Sequence, residues 1–69
     1  MDNLTVAERI AIEFALKDYI RTEKSKVKYY TEKQNSCKDD REYRELEEII
    51  GFCEKQVADA SSALRKVMI

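Results

Sequence analysis

Residues 43–67 read YRELEEIIGFCEKQVADASSALRKV, and this stretch decides the fold. Its apolar and small residues recur at alternating steps of three and four, at Tyr43, Leu46, Ile50, Cys53, Val57, Ala60, Leu64 and Val67. That spacing is the heptad seam of a helix that packs along its length against another helix. It predicts one long helix, with Cys53 facing inward and Gly51, the only glycine of the chain, facing outward.

A second long helix is predicted on the other side of a polar segment. Thr5 and Glu8 have the spacing of a capping box, which starts a helix at about residue 5. No helix-breaking residue follows until residues 34–40, whose Asn, Ser and Asp side chains compete with helical backbone bonds. Asp39 or Asp40 is the expected cap of the following helix. The first helix carries a weaker seam with two polar interruptions, formed by Leu16, Ile20, Glu23, Val27, Tyr30, Gln34 and Cys37.

Two helices of nearly equal length joined by a short turn predict an all-α fold, an antiparallel two-helix hairpin. We expect a single helical-hairpin domain over residues 1–69, with helices at about 5–36 and 40–68 and the turn at about 36–40. In the expected register Ile20 faces Val57 and Val27 faces Ile50.

The composition of the chain argues against an enzyme. It has no histidine, one glycine and two cysteines, which excludes a His-based catalytic site, a phosphate-binding loop and a zinc site. We therefore expect no catalytic residues, no metal and no cofactor. The same register separates Cys37 from Cys53 by more than the reach of a disulfide. Charged residues interrupt every apolar stretch, so we expect no membrane span, no signal peptide and a soluble, cytoplasmic protein.

The chain has more apolar surface than one seam between two helices covers. Val6, Ile10 and Phe14 form a second stripe on the first helix, and Ile49 and Phe52 flank the seam of the second. Three readings remain open: a hairpin with a partly exposed shoulder, two hairpins packed as a homodimeric four-helix bundle, or a docking site for a different protein. The homodimer is the preferred reading, and these five residues are its candidate interface.

A basic stripe is the other notable surface. Lys17, Arg21, Lys24 and Lys28 follow one another at steps of three and four on the first helix, with Phe14 and Tyr29 near the edges of the stripe. A solvated helix face gives the same pattern. The alternative is a contact site for nucleic acid or for an acidic partner. In architecture the expected bundle resembles the plasmid-encoded repressor of primer family, whose dimeric four-helix bundle binds paired RNA loops through one helix face.

These observations favour a small non-enzymatic protein-interaction module, a regulator, adaptor or inhibitor that binds a partner macromolecule through its helix faces. Its expected partners are a second copy of the chain and another protein. Two alternatives are an RNA-binding helical bundle that uses the basic stripe and a structural subunit of a larger assembly.

Overall fold

The computed structural model of the chain describes residues 3–68 and contains two long helices. Helix α1 spans Val6–Ser36 and helix α2 spans Asp40–Met68. They pack against each other as an antiparallel hairpin, which confirms the expected two-helix fold. Residues 1, 2 and 69, which the expected single domain includes, lie outside the described part. The hairpin is a rod of 51 × 14 × 12 Å.

The start of α1 is fixed by the capping box that the sequence predicts. The Glu8 backbone N–H donates to the Thr5 hydroxyl at 3.1 Å, and the Thr5 backbone N–H donates to Glu8 Oε1 at 2.9 Å. Both groups that would otherwise lack a partner at the helix end are satisfied. Hydrogen bonding of the Glu8 carboxylate to the Thr5 backbone N–H, and then to the Thr5 side chain, holds the pKa of Glu8 below its ordinary value.

Residues 37–39 reverse the chain, and Asp39 caps the helix that follows. The Arg41 backbone N–H donates to Asp39 Oδ1 at 3.0 Å, and the Tyr43 backbone N–H donates to the Asp39 carbonyl at 2.9 Å. Of the two expected caps, Asp39 is therefore the one used, while Asp40 is the first helical residue. Gln34 Nε2 donates to the Tyr43 carbonyl at 3.4 Å, which ties the two helices together beside the turn.

The seam of α2 matches the heptad pattern. Leu46, Cys53, Ala60 and Val67 are the buried residues of this helix, and they lie seven positions apart. The alternate seam positions Ile50, Val57 and Leu64 are partly buried. Tyr43 departs from the pattern, since it is 44% exposed. It lies at the turn, where the facing residue is the polar Gln34 and no further layer covers it.

The seam of α1 also lies where the sequence predicts it, because none of its seven residues is exposed. The Gln34–Tyr43 contact fixes the register. One heptad further along each helix brings Val27 level with Ile50, and a second brings Ile20 level with Val57, as expected. The most buried residue of α1 is one of the two polar interruptions, Glu23, which is 5% exposed.

Candidate interaction surfaces

Two helices lying side by side leave two broad sides free, one on each side of the plane through their axes. On the first side, the Tyr19 hydroxyl of α1 donates to Gln56 Oε1 of α2 at 3.1 Å. We call it the aromatic side. The second is marked by an open groove lined by Lys24 and Val27 of α1 and by Glu54, Val57 and Ala58 of α2. We call it the basic side.

The basic side carries a continuous line of residues along α1. Residues seven positions apart lie on nearly the same face of a helix, so Ile10 and Lys17 share the face of Lys24, and Phe14 and Lys28 share that of Arg21. The apolar stripe and the basic stripe of the sequence are thus one feature. We name it the α1 stripe, and it consists of Val6, Ile10, Phe14, Lys17, Arg21, Lys24 and Lys28.

At the apolar end of the α1 stripe, α2 adds a residue that the sequence analysis did not single out. Val6, Ile10 and Met68 line a common groove between the two helix ends. Val6 is 74% exposed and Met68 60% exposed, so among residues 3–68 this end of the hairpin presents apolar surface, beside the charged Arg9 and Glu13 of the same groove. The position of Met68 could have been predicted from the sequence, because it lies two heptads after Glu54 and therefore on the same side of α2.

The other two expected interface residues lie on the aromatic side. Ile49 is one heptad before Gln56, and Phe52 is four residues before it, which places both on the face that receives the Tyr19 hydroxyl. Phe14 and Phe52 are each 64% exposed, but on opposite sides of the rod. The five residues expected to form one interface are therefore divided between two surfaces.

The basic residues of the α1 stripe differ in how far they are neutralised. Lys17 Nζ lies 3.6 Å from Glu13 Oε1, and Arg21 forms an ion pair with Asp18. Lys24 and Lys28 have no carboxylate within 4 Å among residues 3–68. The available positive charge is therefore concentrated in the half of the stripe nearer the turn.

Tyr29, expected at the edge of the basic stripe, contacts two neighbouring side chains. Its ring makes an edge-to-face contact with Tyr30, with centroids 5.2 Å apart, and the Lys33 ammonium lies 5.4 Å from its centroid. It shares an open groove with Lys33 and Glu42 toward the aromatic side. It also lines an open groove with Asp18 and Arg21, so Tyr29 lies near the edge of the basic stripe as well.

A polar cluster interrupts the seam at mid-length. Glu23 Oε1 accepts from Lys26 Nζ at 3.2 Å, and the buried thiol of Cys53 lies against the same carboxylate. Burial, followed by the Glu23 carboxylate, raises the pKa of the Cys53 thiol. The hydrogen bond and the charge of Glu23 raise the pKa of Lys26. Both cysteines are free thiols.

Other kinds of site were sought among residues 3–68. No group of three or more potential metal ligands occurs in this part of the chain. Neither described helix contains a stretch that is both long and apolar enough to cross a bilayer. Comparisons with protein-family models, curated proteins and solved structures gave no match to this chain. Function is therefore inferred from the surfaces themselves.

Proposed function

We propose that this chain is a small non-enzymatic protein-interaction module that binds partner macromolecules through its exposed helix faces, as a regulator, adaptor or inhibitor. The observation that supports it is the amount of apolar surface left uncovered. Large apolar side chains exposed by 40% or more occur on both broad sides of the hairpin, whereas four apolar residues of the described chain are buried. Contiguous exposed apolar surface on a small protein marks an interaction site.

The total surface area supports the same function. A compact monomer of this mass exposes about 4,500 Å², whereas the hairpin exposes 5566 Å². The difference, about 1,000 Å², is similar to the roughly 800 Å² that each partner buries in a stable protein interface. The radius of gyration, 15.8 Å, likewise exceeds the value of about 11 Å expected for a compact domain of this length. One partner packed along the rod would bring the surface to that of an ordinary small protein.

A second copy of the chain fits the aromatic side. Tyr19, Ile49 and Phe52 form its exposed apolar centre. Lys26 and Lys33 lie one and two heptads after Tyr19, on the α1 edge of this side. Glu42 lies one heptad before Ile49, on the α2 edge. A twofold arrangement that lays α1 of one hairpin over α2 of the other would bring opposite charges together around the apolar centre. The product is the homodimeric four-helix bundle.

The oligomeric state tests this assignment, and the chain offers a matched pair of variants. Phe14→Glu and Phe52→Glu introduce the same charge at sites of equal exposure on opposite sides of the rod. Analytical ultracentrifugation at micromolar concentration should give about twice 8.1 kDa for the parent chain and for Phe14→Glu. Phe52→Glu should sediment as a monomer. A parent chain that is monomeric throughout this range would rule out the homodimer.

RNA binding is the second candidate, and Lys24 and Lys28, which form no ion pair within 4 Å among the described residues, favour it. It predicts retention of RNA that weakens steeply with salt and is lost in Lys24→Glu/Lys28→Glu. A structural subunit would instead grow beyond a dimer as concentration rises. The proposed place of action is the cytoplasm.

A further inference from the structure

We infer that the α1 stripe is the docking site for an amphipathic helix of another protein, one that is acidic in its first half and apolar in its second. This inference rests on the proposed interaction function and names the partner's chemistry. It assigns the basic side to a different protein and leaves the aromatic side to the second copy. Because the two sides face away from each other, both can be occupied in one complex.

The stripe is built like one wall of a helix-binding groove. Its apolar half, residues 6–14, is about 12 Å long, and its basic half, residues 17–28, is about 16 Å long at 1.5 Å per residue. Ile10 of α1 and Met68 of α2 line the same groove, so the apolar end offers surface from both helices. Residues 6–28 span about 33 Å in all, which matches a partner helix of about 22 residues.

Charge identifies the partner as acidic. Lys24 and Lys28 have no carboxylate within 4 Å among the described residues. Glu54 lines the Lys24 groove beside Val27 and Val57, whereas the adjoining open groove of Lys24 and Lys28 is lined by the apolar Ile20 and by no carboxylate. A carboxylate placed there would pair with a lysine beside apolar surface, where electrostatic attraction is stronger than in open water. Acidic residues near a helix N-terminus also compensate the helix dipole. The partner helix therefore runs antiparallel to α1, with its acidic first half over Lys24 and Lys28.

A protein helix fits the stripe better than a nucleic acid does. Nearly half of the stripe consists of Val6, Ile10 and Phe14, which phosphates do not cover. Two of its four cations already have a carboxylate neighbour, Glu13 or Asp18. The Tyr29 ring already contacts the Tyr30 ring and the Lys33 ammonium. A second copy laid along α1 would place the basic half of the stripe over basic residues if parallel and over apolar residues if antiparallel, so in neither case would Lys24 and Lys28 meet a carboxylate of the stripe.

The test uses a fluorescent 22-residue peptide with glutamates on one face of its first half and leucines on the same face of its second half. Fluorescence anisotropy at low salt should show it binding the parent chain. Lys24→Glu/Lys28→Glu should bind it about tenfold more weakly, since each lost surface ion pair contributes up to about 1 kcal/mol. Lys38→Glu/Lys55→Glu makes the same change of net charge at exposed sites outside the stripe, and it should bind as the parent does.

The phenylalanine pair separates this inference from the proposed dimer. Phe14→Glu should lose the peptide, whereas Phe52→Glu should retain it even as a monomer. Circular dichroism confirms that each variant is helical before its affinity is compared. Three results would overturn the inference. The first is an equal loss of peptide affinity in Lys24→Glu/Lys28→Glu and in Lys38→Glu/Lys55→Glu, and the second is tighter stripe-dependent binding of a 22-nucleotide RNA than of the peptide. The third is a change in the oligomeric mass of Lys24→Glu/Lys28→Glu. If the parent chain is a dimer but does not bind the peptide, this inference is refuted and the proposed homodimer is not.

Discussion

Replacing the buried carboxylate in the seam should make the hairpin more stable. Glu23 is 5% exposed and lies against the Cys53 thiol, and its partner Lys26 has a side chain that is 51% exposed. A charge taken out of water carries a penalty of several kcal/mol unless its partners compensate it fully. One half-exposed lysine provides that compensation in part.

The size of the effect follows from three contributions. Glu23→Leu relieves the desolvation of the carboxylate, and it adds apolar contact at a seam position for about 1 kcal/mol, since the stem of Glu23 is already buried. It loses a half-exposed ion pair of at most about 1 kcal/mol. The expected result is a gain of about 1–3 kcal/mol, within the range found when buried ion pairs are replaced by apolar residues. At about 4–8 °C per kcal/mol for a domain of this size, the melting temperature should rise by roughly 10 °C.

Urea unfolding followed by circular dichroism at a fixed protein concentration measures this gain. Glu32→Leu is the control, because it makes the same substitution at an exposed position of α1 and should change stability by less than about 0.5 kcal/mol. The Cys53 thiol gives a second readout. Its pKa should fall in Glu23→Leu without reaching the ordinary value, because burial, the larger cause of the shift, remains. A variant less stable than the parent chain, or indistinguishable from Glu32→Leu, would refute the reasoning.

Three further changes have defined outcomes. Gly51→Ala should stabilise the hairpin by about 1 kcal/mol in urea unfolding, because a Cβ at Gly51 meets nothing within 4 Å and alanine is the better helix former; loss of assembly would instead reveal a close contact there. Thr5→Ala should cost about 1 kcal/mol by removing the cap. It should also flatten the loss of stability on acidification, because the lowered pKa of Glu8 contributes stability above the unfolded-state pKa that is lost as pH falls through the folded-state value. In a thiol-reagent assay at pH 8 Cys37 should react quickly and Cys53 slowly, since Cys53 is buried with a raised pKa; equal rates would contradict the inward position of Cys53.

The helices and their contacting faces could be predicted from the sequence because both follow from the spacing of residues along each helix. The seam of α2, the capping box at Thr5 and the register at Gln34–Tyr43 all agree with the structure. Two features could not be obtained by counting along single helices. The burial of Glu23 depends on the facing Cys53 and on Lys26, although a lysine three residues after a seam glutamate was a readable signal. The exposure of Tyr43 depends on its position in the last layer of facing seam residues before the turn.

The division of the candidate interface has a similar cause. Along one helix, Phe14 and Phe52 look equivalent, because each flanks a seam. In an antiparallel pair, however, the residues that flank one edge of the seam in α1 meet those that flank the same edge in α2. Ile10 therefore meets Met68, and Tyr19 meets Gln56. Assigning heptad positions in both helices together would have separated the two sides before the structure was known.

The proposed module would use two opposite surfaces of the hairpin to join molecules. In a two-helix rod 14 Å by 12 Å in cross-section, residues 3–68 leave both broad sides exposed to solvent. The aromatic side carries charges of both signs around an apolar centre, which suits a copy of itself. On the basic side the α1 stripe carries positive charge at one end and apolar residues at the other, which is the basis for the proposed unlike partner. A homodimer formed through the first side would still present two copies of the second, facing away from each other, so one dimer could hold two partner helices at once.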